Sequence, residues 1–226
     1  MTPDPPDLKA TVAELLQDLR QPVTLAAPHE RVLREAMALM SERGYAGASL
    51  RELARRLEMS QPSLYHYFES KEQLVYQVVR FYAARALRVP ADAPVAPTLV
   101  EGLRYGLTRM AHNYDDPEHR DFMRFLVAVG RERPDVQVLA RELLLDRARD
   151  LLTRFVDVYV ASGELLPQDG PYLVEMVTHS LMLRLLRDHV LFPSGAQPED
   201  ATAFADFVVD AAVRGVRARA ATGGAM

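Results

Sequence analysis

Within seven residues, Gln61, Ser63, Tyr65, His66 and Tyr67 gather side chains suited to a nucleic-acid duplex, and Lys71 follows four positions later. A glutamine amide can pair with adenine through two hydrogen bonds, and a serine hydroxyl can donate or accept. Tyrosine hydroxyls and the Lys71 ammonium suit phosphate oxygens, which hold a protein in register without reading sequence. Lys71 is one of only two lysines in a chain with 25 arginines. Covalent chemistry is far less well supplied. There is no cysteine, which excludes disulfides, thiolate metal sites and a cysteine nucleophile. No Gly-rich nucleotide loop, Gly-x-Ser-x-Gly or His-Glu-x-x-His occurs, and no His/Asp/Glu group has ligand spacing. No enzyme activity, metal or cofactor is expected.

Those polar residues need short, well-capped helices to present them. Ser49 with Glu52 forms a capping box, and Leu50, Leu53, Ala54 and Leu57 give the next helix its inner face. Glu58-Met59 turns the chain, and Ser60 caps a third helix expected to run to about Phe68, with Pro62 tolerated in its first turn. Ser70 with Gln73 opens a fourth helix through Leu74, Val78, Phe81, Tyr82 and Arg85. Upstream, Pro28 starts a helix with the stripe Val32, Leu33, Ala36, Leu39 and Met40, and Gly44 stops it. Two short helices joined by three or four residues, behind a longer one, are the arithmetic of a helix-turn-helix. Ala54, Leu57, Met59 and Leu64 fill the inside of its turn, Phe68 belongs to the core, and Arg55 and Arg56 form a solvated face.

Everything else also reads helical, so the fold class is all-α. Leu8 to Gln21 carries apolar residues at helical spacing and ends at Pro22. Three prolines between Pro90 and Pro97 mark a linker. Helices then follow from Thr98 to about Tyr114, Pro117 to Gly130, Pro134 to about Ser162, Pro171 to about Phe192 and Pro198 to about Arg219. The expected organisation is an N-terminal extension (1–27), a helix-turn-helix domain (28–88) and a helical body (96–221). The net charge is −4, but residues 28–88 carry 10 Lys+Arg against 7 Asp+Glu. Polyanion contact is therefore expected in that segment. No signal peptide and no run of about 18 apolar residues is present, so a cytoplasmic protein is expected.

The stretch from Arg31 to Val79 resembles the DNA-binding domain of the TetR family of repressors. The matching residues are Ala36, Gly44-Tyr45, Ser49, Leu53-Ala54, Leu57, Met59-Ser60, Ser63 through Phe68, Ser70-Lys71-Glu72 and Leu74. The resemblance implies that Ser49, Tyr65, Tyr67 and Lys71 touch phosphate, and that Gln61, Pro62, Ser63 and His66 face the bases. Arg51 matches a position that reaches a base or a phosphate. Where many members have a small residue this chain has Pro62, which favours van der Waals contact, for instance with a thymine methyl.

The same resemblance implies a double-stranded DNA operator, a C-terminal bundle with a small-molecule effector pocket, and a homodimer through the last two helices. The segment from Pro171 to Phe192 is apolar nearly all round, which requires cover on more than one side. Candidate effector residues are Tyr105, Met110, His112, Phe122, Phe125, Phe155, Tyr159, Met176, His179 and Met182, with His112 and His179 as polar anchors in an otherwise apolar site. The expected function is a repressor that binds a palindrome as a dimer and is released by a largely apolar effector. The alternatives are an all-α enzyme whose catalytic pair forms only in space, and a protein-binding adaptor with a vestigial helix-turn-helix.

Overall fold

The computed structural model describes residues 24–90, 98–187 and 201–221, together with Ala13, Glu14, Gln17, Arg20 and Ala93. The expected helix from Leu8 to Gln21 lies outside these apart from Ala13, Glu14, Gln17 and Arg20, and so does the expected end of the Pro171 helix at Phe192.

The described residues form helices and no strands. In chain order they are α1 (Ala27–Gly47), α2 (Leu50–Leu57), α3 (Gln61–Leu64), α4 (Lys71–Leu87), α5 (Leu99–Asp115), α6 (Pro117–Gly130) and α7 (Pro134–Ala140). A π-helical turn, Arg141–Asp146, leads directly into α8 (Arg147–Ala161), followed by α9 (Gly170–Leu186) and α10 (Ala201–Ala221). The caps expected from sequence are in place. The Ser49 hydroxyl accepts from the Glu52 amide (3.1 Å), Ser60 from Ser63 (3.2 Å), Ser70 from Gln73 (3.1 Å) and Thr98 from Glu101 (3.3 Å). Each satisfies a first-turn amide that has no partner within its helix.

The chain packs as two units. One comprises residues 22–88 with 116–147, so α6, α7 and the π turn share the helix-turn-helix core. That core runs from Val32, Leu33, Ala36, Met37 and Met40 of α1 through Leu53 and Leu57 of α2 and Leu64 of α3. It continues into Leu74, Val78, Phe81 and Tyr82 of α4, then Phe122, Phe125 and Val129 of α6. Tyr82, Phe122 and Phe125 stack in sequence, with ring centres 5.4 and 6.2 Å apart. Glu118, at the start of α6, accepts from Arg34 Nε (2.7 Å) and the Tyr82 hydroxyl (2.9 Å) and lies 3.1 Å from Arg85. Burial pushes its carboxyl up, but the bonds from Arg34 and Tyr82 and the charge of Arg85 outweigh that and hold it below the usual range.

The other unit comprises the rest of the chain, with α5, α8, α9 and α10. Here α5 packs against α10, and Leu99, Leu103 and Leu107 of the one and Ala205, Val209 and Ala212 of the other are buried. The small residues of α10 allow the close approach. Arg104 bridges the same pair of helices to Asp206 (2.8 Å) and Asp210 (2.9 Å). Gly102 is required where α5 meets α8, because a Cβ there would lie 2.0 Å from the Phe155 ring.

Candidate nucleic-acid interface

The third helix is shorter than expected. It runs Gln61–Leu64, and the chain then leaves it through i→i+3 bonds from Tyr65 to Pro62, His66 to Ser63 and Tyr67 to Leu64. It does not continue to Phe68, because tertiary contacts hold the turn open. Gln77 of α4 donates to the Tyr67 carbonyl (3.1 Å), and Gln77 in turn accepts from His29 Nε2 of α1 (2.8 Å). The Tyr67 ring lies against the His29 ring, 5.5 Å between centres. Leu64 and Phe68 anchor both ends of the segment in the core.

This arrangement exposes Gln61, Pro62 and His66, and leaves Tyr65 49% exposed with its ring beside Phe68. Ser63 is half-buried, its hydroxyl 2.6 Å from that of Ser60. Ser49 and Arg51 are exposed at the head of α2. Arg55 and Arg56 are tied up: Arg55 binds Glu52 (2.9 and 2.7 Å), and Arg56 binds Glu42 (3.1 and 2.6 Å) and Glu35 (3.2 Å). Arg55 is the main reason the Glu52 carboxyl is held down at about 2. Both arginines thus belong to the scaffold.

Lys71, the first residue of α4, is half-buried. Its ammonium donates to the Tyr45 carbonyl and lies 4.3 Å from the centre of the Tyr45 ring. Burial lowers its pKa from the ordinary lysine value. An ammonium has three protons, so this bond leaves donors for a phosphate. Tyr45 matched the resemblance but received no role from sequence. In the structure it is central: its hydroxyl donates to Glu72 (2.5 Å), and its two neighbouring amides, its own and that of Ala46, donate to Glu132 (2.9 and 2.8 Å). Burial, then the bond to Glu72, pushes the Tyr45 phenol up to about 12. Nothing in the local pattern around Glu132 signals that role, since it depends on a contact 87 residues away in sequence.

The candidate effector residues do not gather in one place. Phe122 and Phe125 are fully buried in the helix-turn-helix unit. Tyr105, Met110, His112, Phe155, Tyr159, Met176, His179 and Met182 belong to the other unit. His112 is exposed, and its Nδ1–H donates to the Thr108 carbonyl (2.9 Å), one turn back on its own helix. Phe155 and Tyr159 pair edge to face at 5.2 Å. Met176 and His179 line an open pocket of about 610 Å³ between α9 and α10, with Tyr172, Leu173, Ala212, Gly215 and Val216. Outside that pocket the same helices expose Leu183 and Phe207. Among the described residues there is no His/Cys/Asp/Glu cluster that could hold a metal, and no helix long and apolar enough to cross a membrane.

Capped short helices, an exposed polar face and a lysine heading the next helix together define a helix-turn-helix domain. Residues 32–78 match the sequence model of the bacterial regulatory proteins, tetR family. The similarity to that family lies in this helix-turn-helix segment. It is 31% identical over 134 residues to the HTH-type transcriptional repressor AcnR of Corynebacterium glutamicum, a match covering 57% of this chain and 65% of AcnR. Over 51 residues it is 33% identical to IcaR of Staphylococcus aureus, the negative regulator of the biofilm operon icaADBC, covering 23% of this chain and 27% of IcaR. In each case the match spans less than two thirds of the relative. In fold it is similar to the crystal structure of a TetR-family regulator from Mesorhizobium loti (TM-score 0.65, 18% identity, 83% of this chain and 95% of that one).

Proposed function

We propose that this protein is a transcriptional repressor that binds a palindromic operator as a homodimer and releases it when a small, largely apolar molecule enters its second unit. The observation that carries the reading is the face formed by Gln61, Pro62, Ser63, Tyr65 and His66, held out by capped helices inside a segment that matches a DNA-binding family. In this reading Gln61, Pro62, Ser63 and His66 meet base edges. Ser49, Tyr65, Tyr67 and Lys71 meet phosphates, and Arg51 reaches either.

The surface of α9 and α10 supports dimerisation. Tyr172, Met176 and Leu183 are spaced to share one side of α9, and all are exposed, as is Phe207 of α10. A second copy covers that apolar face and sets two recognition helices ~34–36 Å apart, one turn of DNA. The effector residues kept in this proposal are those of the second unit: Tyr105, Met110, His112, Phe155, Tyr159, Met176, His179 and Met182. Phe122 and Phe125 are core.

The test is footprinting of the purified protein on the DNA upstream of its own gene and its neighbours. Protection of two half-sites about one helical turn apart, lost on adding a cognate small molecule, is the expected result. Uniform weak binding to every duplex would sink the reading.

A further inference from the structure

The kink near the end of α1 holds a feature that DNA contact alone does not explain. Gly44 has φ +69°, which kinks α1 before its last three residues and turns the next two amides, those of Tyr45 and Ala46, in one direction. Two such amides make a small anion-binding concavity, here filled by the Glu132 carboxylate. One oxygen accepts from Tyr45 (2.9 Å) and the other from Ala46 (2.8 Å). A Cβ at Gly44 would lie 2.3 Å from Glu132 Oε1, so the carboxylate sits directly on the turn.

Glu132 comes from the link between α6 and α7, and its neighbour Arg133 completes the grip. The Arg133 guanidinium lies 4.6 Å from the centre of the Tyr45 ring, which Lys71 also approaches, to 4.3 Å. Arg133 is itself held by both oxygens of Asp135 (3.0 and 2.8 Å), and Asp135 accepts from the Tyr76 hydroxyl of α4 (2.5 Å). Tyr45 is thus held at its amide by Glu132, at its ring by Arg133 and at its hydroxyl by Glu72. Its carbonyl is the acceptor on which the Lys71 ammonium rests.

We propose that Glu132, with Arg133, is a positioning residue for DNA binding: it sets the Tyr45 turn on which Lys71 is aimed at a phosphate. Neither side chain touches DNA in this scheme. The inference rests on the reading of Lys71 as a phosphate contact, and the experiment separates the two.

The test compares wild type, Glu132→Gln, Lys71→Ala and the double variant for affinity to the footprinted operator duplex across a salt series. A glutamine presents an NH₂ to one of the two amides, so one bond is lost and two donors face each other. The expected weakening is about tenfold. The slope of log K against log salt is expected to fall by about one for Glu132→Gln, equally for Lys71→Ala, and no further in the double variant. Amide exchange on Glu132→Gln should lose protection at Ala46 while Leu74 and Val78 keep theirs, showing that the unit remains folded. A Glu132→Gln slope equal to wild type, beside a reduced one for Lys71→Ala, would overturn the positioning role. An unchanged slope for Lys71→Ala would overturn it too, by removing the contact it serves. Failure of the wild type to select any duplex would instead strike at the repressor reading.

Discussion

In the helix-turn-helix unit, Glu30, Glu118, Arg34 and Arg85 knit α1, α4 and α6 together over a core of Phe81, Tyr82, Phe122 and Phe125. Its exposed aliphatics are spread along the chain: Leu25 ahead of α1, Val127 on α6, Val138 on α7 and Leu145 in the π turn. Among the described residues in the unit of α9 and α10, three of the four exposed large apolar residues, Tyr172 (70%), Met176 and Leu183 (65%), are spaced to share one side of α9, and the fourth, Phe207 (66%), is on α10. Scattered aliphatics are ordinary on a protein surface, whereas an ordered stripe calls for a partner. Under the proposed function, the first unit presents polar groups to a duplex and the second presents apolar area to a second copy.

Breaking the apolar stripe is expected to have the largest effect. Leu183→Glu combined with Phe207→Glu should give a monomer by sedimentation and weaken operator binding by ~10³-fold or more, towards the non-specific level. A dimer of unchanged affinity would show that the subunits pair elsewhere. Next comes Phe122→Ala, expected to cost ~3–5 kcal/mol in urea unfolding because it empties a fully buried aromatic site. If it altered effector response without loss of stability, Phe122 would return to the effector set. Gln61→Ala should cost ~1–3 kcal/mol of operator affinity and relax the preference at one base pair. An equal loss across operator variants would place Gln61 on the backbone instead.

The smallest effect at neutral pH concerns His119 of α6. Burial holds its imidazole down at about 4, against an ordinary 6.5. The unfolded chain therefore takes up a proton that the folded one refuses. Stability should be complete above about 6.5 and fall as the pH drops towards about 4. His119→Gln should flatten that part of the urea-midpoint profile, and an unaltered slope would mean that other groups govern it.

The sequence was readable where structure is local. Ser49, Ser60, Ser70 and Thr98 cap helices as their spacing predicts, because a cap needs only a hydroxyl and an amide two or three residues away. Gly44 leaves the helical conformation where a glycine stop was expected, and Arg55 is solvated and paired with Glu52 one turn back, whereas Arg56, expected on the same solvated face, is drawn instead to Glu35 and Glu42 of α1. The motif from Leu64 to Lys71 was likewise enough to point to the DNA-binding family.

Other features were settled only by residues far apart in the chain. α3 stops at Leu64 because Gln77 and His29 hold the following turn, and no pattern within Ser60–Phe68 records them. Phe122 and Phe125 look like pocket aromatics by type, yet α1 and α4 close over them. Glu132 reaches Tyr45 across 87 residues. Periodicity and capping are properties of a few neighbouring residues and survive in one dimension. Which apolar face meets which, and which carboxylate finds which amide, exists only once distant segments share the same space.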